Sequence, residues 1–225
     1  MNKAEKLRAQ YAEAGLARAD VDPNPLVQFG RWLEQAGDAG IVEPNGMLLA
    51  TVSGESSPSQ RSVLLKGYDE AGFVFFTNHG SRKARQMRDN SAVSAVFPWY
   101  ALHRQVIIEG AVHPIDEAQS RTYFDSRPRN ARLGAWASRQ SEPLASRQVL
   151  EARMAEVAER FGDGEIPLPG FWGGYCISPR RMEFWQGRTH RLHDRILYTR
   201  RNGSNHGSAN GRANGNTWEI SRLFP

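Results

Sequence analysis

The feature that most constrains the fold is a series of short apolar segments, each followed by a cluster of turn-forming residues. The segments are 46–53, 60–68, 72–78, 92–99 and 105–113, and they are rich in Val, Leu, Ile and Phe. Runs of this length and composition predict β-strands. Because one short helical segment (81–88) interrupts them, we expect an antiparallel barrel or sandwich rather than alternating βαβ units.

Helical patterns lie on both sides of this region. Residues 3–16 have a polar helical pattern, and a second helix is expected to begin at Asn24 and Pro25, a capping residue followed by proline in the first turn. Further helices are predicted at 116–126, 131–138 and 146–161, and further strands at 173–178, 181–187, 191–200 and 217–223.

The segment 202–216 contains almost only Gly, Asn, Ser and a few other polar residues. It has no apolar pattern, so we interpret it as a flexible hairpin insertion without a functional role. No internal repeat and no convincing domain boundary is visible. We therefore expect a single domain over residues 1–225, with a helical N-terminal segment at 1–20.

Charge and cysteine content narrow the class of protein. The formal charge of +5 comes from basic residues spread along the chain, which favours small anionic ligands over nucleic acid or a membrane surface. The single cysteine, Cys176, excludes an intrachain disulfide and a cysteine metal cluster. With no apolar signal segment and no run of about 18 apolar residues, we expect a soluble cytoplasmic protein.

The stretch 183–195 is the most informative part of the sequence. Read as a strand, it places Arg191, His193 and Arg195 on one face. The positive charges of these side chains repel one another unless an anion lies among them. A flat aromatic residue, Trp185, precedes them. A solvated basic edge strand is the alternative, but Trp185 favours a planar, phosphorylated ligand.

A second basic motif, Ser81-Arg82-Lys83, follows a predicted strand and opens a helix. Ser81 is a plausible N-cap, and the free amides of a first helical turn attract anions. Positive residues in a first turn are otherwise unfavourable against the helix dipole. The motif predicts a phosphate site, with a solvated basic helix start as the alternative.

Two weaker motifs also indicate a phosphorylated ligand. The segment 61–66 has charged ends and an apolar middle; on a period of two, Lys66 lies on the opposite face from Arg61. Tyr123 and Arg127 are four residues apart, hence on one helix face, where they could clamp a phosphate. A solvated strand end and a surface Tyr–Arg stack remain the alternatives.

Other familiar chemistries are not visible. The sequence has no glycine-rich phosphate loop and no nucleophile elbow. His190 and His193 would lie on opposite faces of a strand, so we expect no metal site. A phosphate-rich enzyme without these elements would depend on an organic cofactor.

A series of motifs follows in order along the chain: Arg61 to Lys66, Phe75-Phe76-Thr77-Asn78, Ser81-Arg82-Lys83, Phe97-Pro98-Trp99, Arg104-Gln105-Val106, Ser126-Arg127-Pro128-Arg129, Gly134-Ala135-Trp136-Ala137-Ser138, Gln140-Ser141, Pro167-Leu168-Pro169, Phe171-Trp172-Gly173-Gly174, 183–187, 191–195 and Arg222-Leu223. With these motifs the sequence resembles one family, the pyridoxine/pyridoxamine 5'-phosphate oxidases of vitamin B6 metabolism, from about residue 7 to the end.

The resemblance implies a mainly β, α+β fold, an FMN-binding split β-barrel of antiparallel Greek-key type with peripheral helices. It also implies a homodimer with its active sites at the subunit interface. The implied FMN contacts are Arg61, Ser62, Val63, Leu64, Leu65, Lys66, Phe76, Thr77, Arg82, Lys83, Gln105, Gln140, Ser141, Trp185 and Arg195. The implied substrate contacts are Arg8, Tyr11, Lys66, Tyr123, Arg127, Ala131, Arg191, Leu192 and His193.

The implied reaction is the oxidation of pyridoxine 5'-phosphate and pyridoxamine 5'-phosphate to pyridoxal 5'-phosphate. A hydride equivalent passes from the substrate C4' carbon to flavin N5, and dioxygen reoxidises the flavin to give hydrogen peroxide; the amine also releases ammonia. Lys66, Tyr123 and Arg127 would hold the substrate phosphate. Arg191 and His193 would act as the catalytic residues that orient the ring, and the segment with Arg8 and Tyr11 would cover the site.

Three positions depart from the family pattern. Ala131 stands where a serine is usual, His103 where a glutamate is usual, and Arg188 where a glycine is usual. The loss of one hydrogen bond at Ala131 predicts a higher KM, worth about 1 kcal/mol. Arg188 would either crowd the site or add a phosphate contact.

Two other functions compete with this one. Another FMN enzyme on the same barrel, such as a flavin reductase or a phenazine-pathway oxidase, need not keep Tyr123, Arg127, Arg191 and His193 together. A non-catalytic barrel that binds anions or nucleic acid would need base-stacking aromatics in a basic groove. The sequence favours the oxidase.

Overall fold

The computed structural model describes residues 15–201 and 217–225, in which there are nine strands and five α-helices. The strands are β1 (Gly46–Val52), β2 (Pro58–Leu64), β3 (Gly67–Asp69), β4 (Gly72–Asn78), β5 (Ala92–Trp99), β6 (Arg104–Pro114), β7 (Trp172–Gln186), β8 (Asp194–Arg200) and β9 (Trp218–Leu223). The helices are α1 (Pro25–Asp38), α2 (Arg82–Asp89), α3 (Glu117–Ser126), α4 (Arg129–Ala137) and α5 (Arg147–Phe161). The predictions for 3–14 and 202–216 lie outside the described residues.

The strands form one sheet in the order β2-β1-β5-β6-β7-β4-β3, and β8 lies between β7 and β9. The pairs β3–β4, β4–β7, β7–β8 and β8–β9 are antiparallel. Buried and more exposed residues alternate along β1 and β5, as expected for strands with one face toward a core. The predicted antiparallel β architecture is confirmed.

Helix starts follow the local sequence closely. The Asn24, Ser81, Asp116 and Ser146 side chains each accept a hydrogen bond from a first-turn amide of the helix that follows. Such caps satisfy amides that have no partner within the helix. Short-range chemistry therefore sets where four of the five helices begin.

Three strand predictions were wrong. The segments 173–178 and 181–187 are one strand, β7, which continues through Pro179 because it pairs with β4 before the proline and with β8 after it. The predicted strand 60–68 is interrupted at Leu65 and Lys66, where the Lys66 amide instead donates to the Val74 carbonyl (2.8 Å).

The third error concerns 191–200. The strand begins at Asp194, and Thr189–Arg191 forms a 3-10 turn in which His190 and Arg191 have left-handed backbones (φ 55° and 63°). Arg191, His193 and Arg195 therefore do not form one row on a strand face.

The described residues divide into two compact units that interleave in sequence: 15–48, 94–110, 179–201 and 217–225 form the first, and 49–93 and 111–178 form the second. The first unit has an aromatic core, in which Phe29 packs edge-on to Phe97 (4.9 Å) and Trp32 packs edge-on to Phe184 (5.2 Å). In the second, Phe124, Leu133, Ile166 and Trp172 form a buried cluster.

None of the described helices is long and apolar enough to span a bilayer.

Candidate active site

The second unit contains a cavity of about 490 Å³ at the ends of β2 and β4 and beside α3 and α4. Eleven predicted site residues line it: Ser62, Val63, Leu64, Lys66, Phe76, Thr77, Lys83, Tyr123, Arg127, Ala131 and Gln140. Residues far apart in sequence thus meet at one place. Of the other predicted residues in this unit, Arg61, Leu65, Arg82 and Ser141 are not part of its lining.

The cavity also has a wall that sequence reasoning missed. Gly134 and Ser138 line it together with Ala131. Ala131 and Gly134 are three residues apart on α4, and Ser138, four residues further, directly follows the helix, so a row of small side chains was visible in the sequence. Small side chains leave room for a bulky ligand.

An aromatic stack forms another part of the cavity lining. The Phe76 ring stacks on Tyr123 (centroids 4.0 Å apart) and lies 5.4 Å from Trp172, Tyr123 and Trp172 are 6.1 Å apart, and all three rings are nearly parallel. The Arg127 guanidinium lies 4.8 Å from the Trp172 centroid, and the Lys66 ammonium lies 5.9 Å from that of Tyr123. Two cations are therefore held against aromatic faces.

Arg127 is incompletely satisfied. Its Nη1 is buried and has no hydrogen-bond partner in the part of the chain that the structure describes. Burial lowers the pKa of Arg127, with the nearby Tyr123 acting in the opposite direction. Arg127 is the residue after α3 rather than a residue of the helix face, yet both it and Tyr123 line the cavity. An anion accepting from Nη1 would remove the cost of the unpaired donor.

Lys83, on the first turn of α2, is the most deeply buried cation of the cavity (6% exposed). Its ammonium donates to the Thr77 hydroxyl (2.8 Å), to the Gln140 side-chain oxygen (3.2 Å) and to the Ser81 hydroxyl (3.4 Å). Burial and then the charge of Arg61 lower the Lys83 pKa to about 8. The ammonium is oriented by neutral oxygens, but its charge is not neutralised.

Arg61 is held in a polar network that the sequence did not reveal. Its guanidinium donates to the Thr51 and Ser59 hydroxyls (both 2.6 Å), and each hydroxyl donates to the Gln86 side-chain oxygen (2.6 and 2.7 Å). Burial and then the charge of Arg82 lower the Arg61 pKa. Gln86 thus positions Arg61 among other cations.

The cations near the start of α2 have the charge that the phosphate of a flavin nucleotide requires. Arg61, Arg82 and Lys83 repel one another, and none of them forms an ion pair with a carboxylate among residues 15–201 and 217–225. The Ser81-capped helix start adds its own positive end. A dianionic phosphate would relieve this repulsion, so the residues fit the phosphate group of a flavin nucleotide.

The first unit contains the second group of predicted residues, around the turn between β7 and β8. Trp185 and Arg195 are opposite each other in the strand pairing. The Trp185 ring lies 4.6 Å from that of His193. Arg195 forms two hydrogen bonds with the Glu183 carboxylate (2.7 and 2.9 Å), which raises the Arg195 pKa. The sequence analysis did not identify Glu183 as the partner of Arg195. The two-residue spacing of Glu183 and Trp185 along a strand, which places them on the same face, could have indicated it.

Asp194 is the centre of a neighbouring network. Its carboxylate accepts from the Leu16 amide (2.9 Å) and from Arg222 (2.5 Å), and forms an ion pair with Arg188 (3.5 Å). Burial opposes ionisation, but these hydrogen bonds and charges give a net lowering of the Asp194 pKa. Arg188 therefore contacts a carboxylate, and it also lies directly against Gly15.

The remaining predicted residues occupy varied positions. Arg191 and Leu192 are exposed in the turn, and Gln105 is half-buried on β6. Ser141 is exposed and has a left-handed backbone (φ 75°). The His103 carbonyl accepts from the Gly187 amide (2.7 Å), so its backbone supports the same turn. Arg8 and Tyr11 lie outside the described residues.

Within the described ranges, no group of three His, Cys, Asp or Glu side chains is arranged to hold a metal ion.

Comparison with known proteins agrees with this geometry. Residues 33–161 match the family described as pyridoxamine 5'-phosphate oxidase, and residues 172–225 match the pyridoxine 5'-phosphate oxidase C-terminal dimerisation region. A Rubrobacter xylanophilus pyridoxine/pyridoxamine 5'-phosphate oxidase is 55% identical, over 86% of this chain and 89% of its own. Proteins of the same name from a Nostoc species and from Escherichia coli are 49% and 46% identical, over 97% of this chain and 97% and 94% of theirs.

Two solved structures share the fold. PhzG from Burkholderia lata, in complex with tetrahydrophenazine-1-carboxylic acid, has a TM-score of 0.82 and 28% identity, covering 95% of this chain and 99% of its own. An FMN-binding protein from Nostoc punctiforme, related to pyridoxamine 5'-phosphate oxidase, has a TM-score of 0.66 at 16% identity, covering 93% and 98%. The predicted split-barrel fold is confirmed, and the chain belongs to the pyridoxamine 5'-phosphate oxidase family.

Proposed function

We propose that this protein oxidises pyridoxine 5'-phosphate and pyridoxamine 5'-phosphate to pyridoxal 5'-phosphate, with FMN as cofactor and dioxygen as acceptor. The observation that carries the proposal is the cavity in which Lys66, Tyr123 and Arg127 meet, with a buried Arg127 Nη1 that has no hydrogen-bond partner among the described residues. Family membership supports a flavin cofactor in general; FMN in particular is our proposal.

Arg61, Arg82 and Lys83 would hold the flavin phosphate, because they form a repelling cationic group beside a capped helix start. The other proposed flavin contacts are Ser62 to Lys66, Phe76, Thr77, Gln105, Gln140, Ser141, Trp185 and Arg195. The chemistry that FMN supplies when bound is reversible acceptance of two electrons, with dioxygen as the final oxidant.

Lys66, Tyr123 and Arg127 would bind the substrate phosphate through charge-assisted hydrogen bonds. Arg191 and His193 are the proposed catalytic residues, and with Leu192 they would orient the pyridine ring. The left-handed His190 and Arg191 support a functional turn, because such backbone strain in residues other than glycine concentrates at active sites. The protein's part is orientation and charge complementarity rather than nucleophilic attack.

The match of residues 172–225 to a dimerisation region supports a homodimer. The same proposal has three further parts. The active sites lie at the subunit interface, the protein is cytoplasmic, and the chain is a single domain whose N-terminal segment covers the site.

The test is the visible spectrum of the FMN-loaded protein under anaerobic conditions. Addition of pyridoxine 5'-phosphate should bleach the flavin absorbance, and air should restore it with release of hydrogen peroxide. The proposal is wrong if the flavin stays oxidised with both vitamer phosphates.

In that case a dihydro- or tetrahydrophenazine carboxylic acid is the next substrate to test, because PhzG has the same fold and was solved with such a ligand. The present cavity argues for the phosphorylated substrates, since Lys66 and Arg127 provide more positive charge than a single carboxylate requires.

A further inference from the structure

The turn between β7 and β8 is closed by a hydrogen bond between backbone and side chain. The Arg188 amide donates to His193 Nδ1 (3.1 Å). The turn is fixed at two other points, because the Gly187 amide donates to the His103 carbonyl (2.7 Å) and the Leu192 amide donates to the Thr189 carbonyl (3.2 Å). The His193 ring is therefore oriented by the main chain.

This contact determines where the ring carries its proton. A backbone N–H can only donate, so Nδ1 must present its lone pair to Arg188. The neutral ring then has its hydrogen on Nε2. Protonation of Nδ1 would place two N–H groups against each other and break the contact.

The charges around His193 also favour its neutral form. Arg191 is nearby, and burial together with its charge lowers the His193 pKa. Of the other charged groups in the turn and on the adjoining strands, Arg195 is paired with Glu183, and Asp194 is paired with Arg222 and Arg188. These carboxylates are already bound to arginines, so they offer an imidazolium little compensation.

We propose that the Arg188 main-chain amide is a positioning group that keeps His193 neutral and makes it a hydrogen-bond donor through Nε2. This role rests on the proposed oxidase function, in which His193 contacts the substrate ring. His193 then donates to an acceptor atom of the ring or its substituents and does not act as a general base. The arrangement selects substrates with an acceptor at that position.

The first experiment is nitrogen NMR of the FMN-loaded protein labelled at histidine, with the His193 signal assigned by its loss in His193→Gln. We expect a protonated Nε2 and an unprotonated Nδ1 at neutral pH, and a titration below the ordinary histidine range. A protonated Nδ1, or an even mixture of tautomers, would overturn the inference.

Two variants separate the effect of the Arg188 amide from that of the Arg188 side chain. Arg188→Pro removes the N–H, whereas Arg188→Gly removes the side chain and keeps the N–H. The tautomer signature should survive in Arg188→Gly and be lost in Arg188→Pro; equal spectra in the two would contradict the role of the amide. Because the Arg188 φ of −130° does not suit proline, the wild-type spectrum decides the question if Arg188→Pro does not fold.

Kinetics of two His193 variants test the consequence for the reaction. His193→Gln places an amide near the position of Nε2 and His193→Asn near that of Nδ1. We expect kcat/KM to be roughly tenfold higher for His193→Gln than for His193→Asn, about the value of one hydrogen bond. The opposite order would show that Nδ1 is the functional atom.

The outcomes separate this inference from the proposed function. If the holoenzyme oxidises the vitamer phosphates but His193 is protonated on Nδ1, the inference fails and the function stands. If the holoenzyme oxidises neither, His193 has no such role, whatever its tautomer.

Discussion

The cavity of the second unit and the β7–β8 turn of the first unit both concentrate basic side chains, but they differ in what those side chains contact. In the cavity, Lys83 is bound only by neutral oxygens, and Arg127 Nη1 has no partner among the described residues. At the turn, Arg195 is paired with Glu183, and Arg222 and Arg188 are paired with Asp194.

The difference separates two tasks. A cation without a carboxylate destabilises the unliganded protein but gains the most when an anion binds. A cation paired with a carboxylate contributes little net charge, and its hydrogen bonds instead fix geometry. Under the proposed function, the cavity would bind phosphate, and the turn would hold His193 and Trp185 in place.

The largest expected effect comes from breaking the pairing at the turn. Asp194→Asn removes the charge that accepts from Arg222 and pairs with Arg188; because both arginines are partly exposed, the free energy of unfolding should fall by about 2 to 3 kcal/mol, the value of charged hydrogen bonds. Urea denaturation measures this change. Asp163→Asn, at an exposed position, is the control and should change little; equal stability of the two variants would show that the Asp194 network is not structural.

Removing a cation from the cavity should have a different result. Lys83→Met should weaken FMN binding by about 2 kcal/mol, or roughly thirtyfold, because a charge-assisted hydrogen bond to the phosphate is lost. It should not destabilise the protein without FMN, since a buried and repelled charge disappears. Flavin fluorescence and thermal unfolding measure the two effects, with the exposed Arg85→Met on the same helix as control.

Lys83 also predicts a pH dependence. Its pKa is lowered to about 8 from 10.5, so between these values the unfolded chain holds a proton that the folded, unliganded protein has lost. The stability contribution of Lys83 in the unliganded protein therefore rises with pH across this window. A bound phosphate favours the ammonium, so FMN affinity should fall as pH rises above about 8, by up to about tenfold per pH unit.

Titrating FMN at several pH values tests this expectation. Lys83→Arg should lose the dependence, because a guanidinium keeps its charge throughout. A wild-type affinity that stays constant across pH 8 to 10.5 would mean that Lys83 does not contact the phosphate.

The smallest expected effect concerns the small-residue wall of the cavity. Ala131→Ser adds a hydroxyl at a position lining the cavity, and should lower the substrate KM up to about fivefold, close to 1 kcal/mol. Steady-state kinetics measures it. Gly134→Ser, on the same wall, is the comparison; an equal gain there would indicate a general polarity effect rather than a specific donor.

The sequence by itself determined the local elements. The strand segments 72–78 and 92–99 were predicted at their observed bounds, and the start of α1 was predicted directly after Asn24, because alternation and capping depend on neighbouring residues. The ordered motifs also led to the family and to most of the cavity lining. The break at Lys66 and the continuity of β7 through Pro179 were not predictable in this way, because strand pairing partners decide them.

Only the tertiary structure decided how the charges are used. The sequence marks Lys83 as part of a helix start that could bind a phosphate, but it does not show which of Lys83, Arg195 and Arg222 is paired with a carboxylate. Folding brings Glu183 to Arg195 and Asp194 to Arg222, across 12 and 28 residues of sequence, and within the described part of the chain it brings neutral oxygens but no carboxylate to Lys83. Ion pairing depends on distance in space, so the division between binding cations and positioning cations exists only in the folded chain.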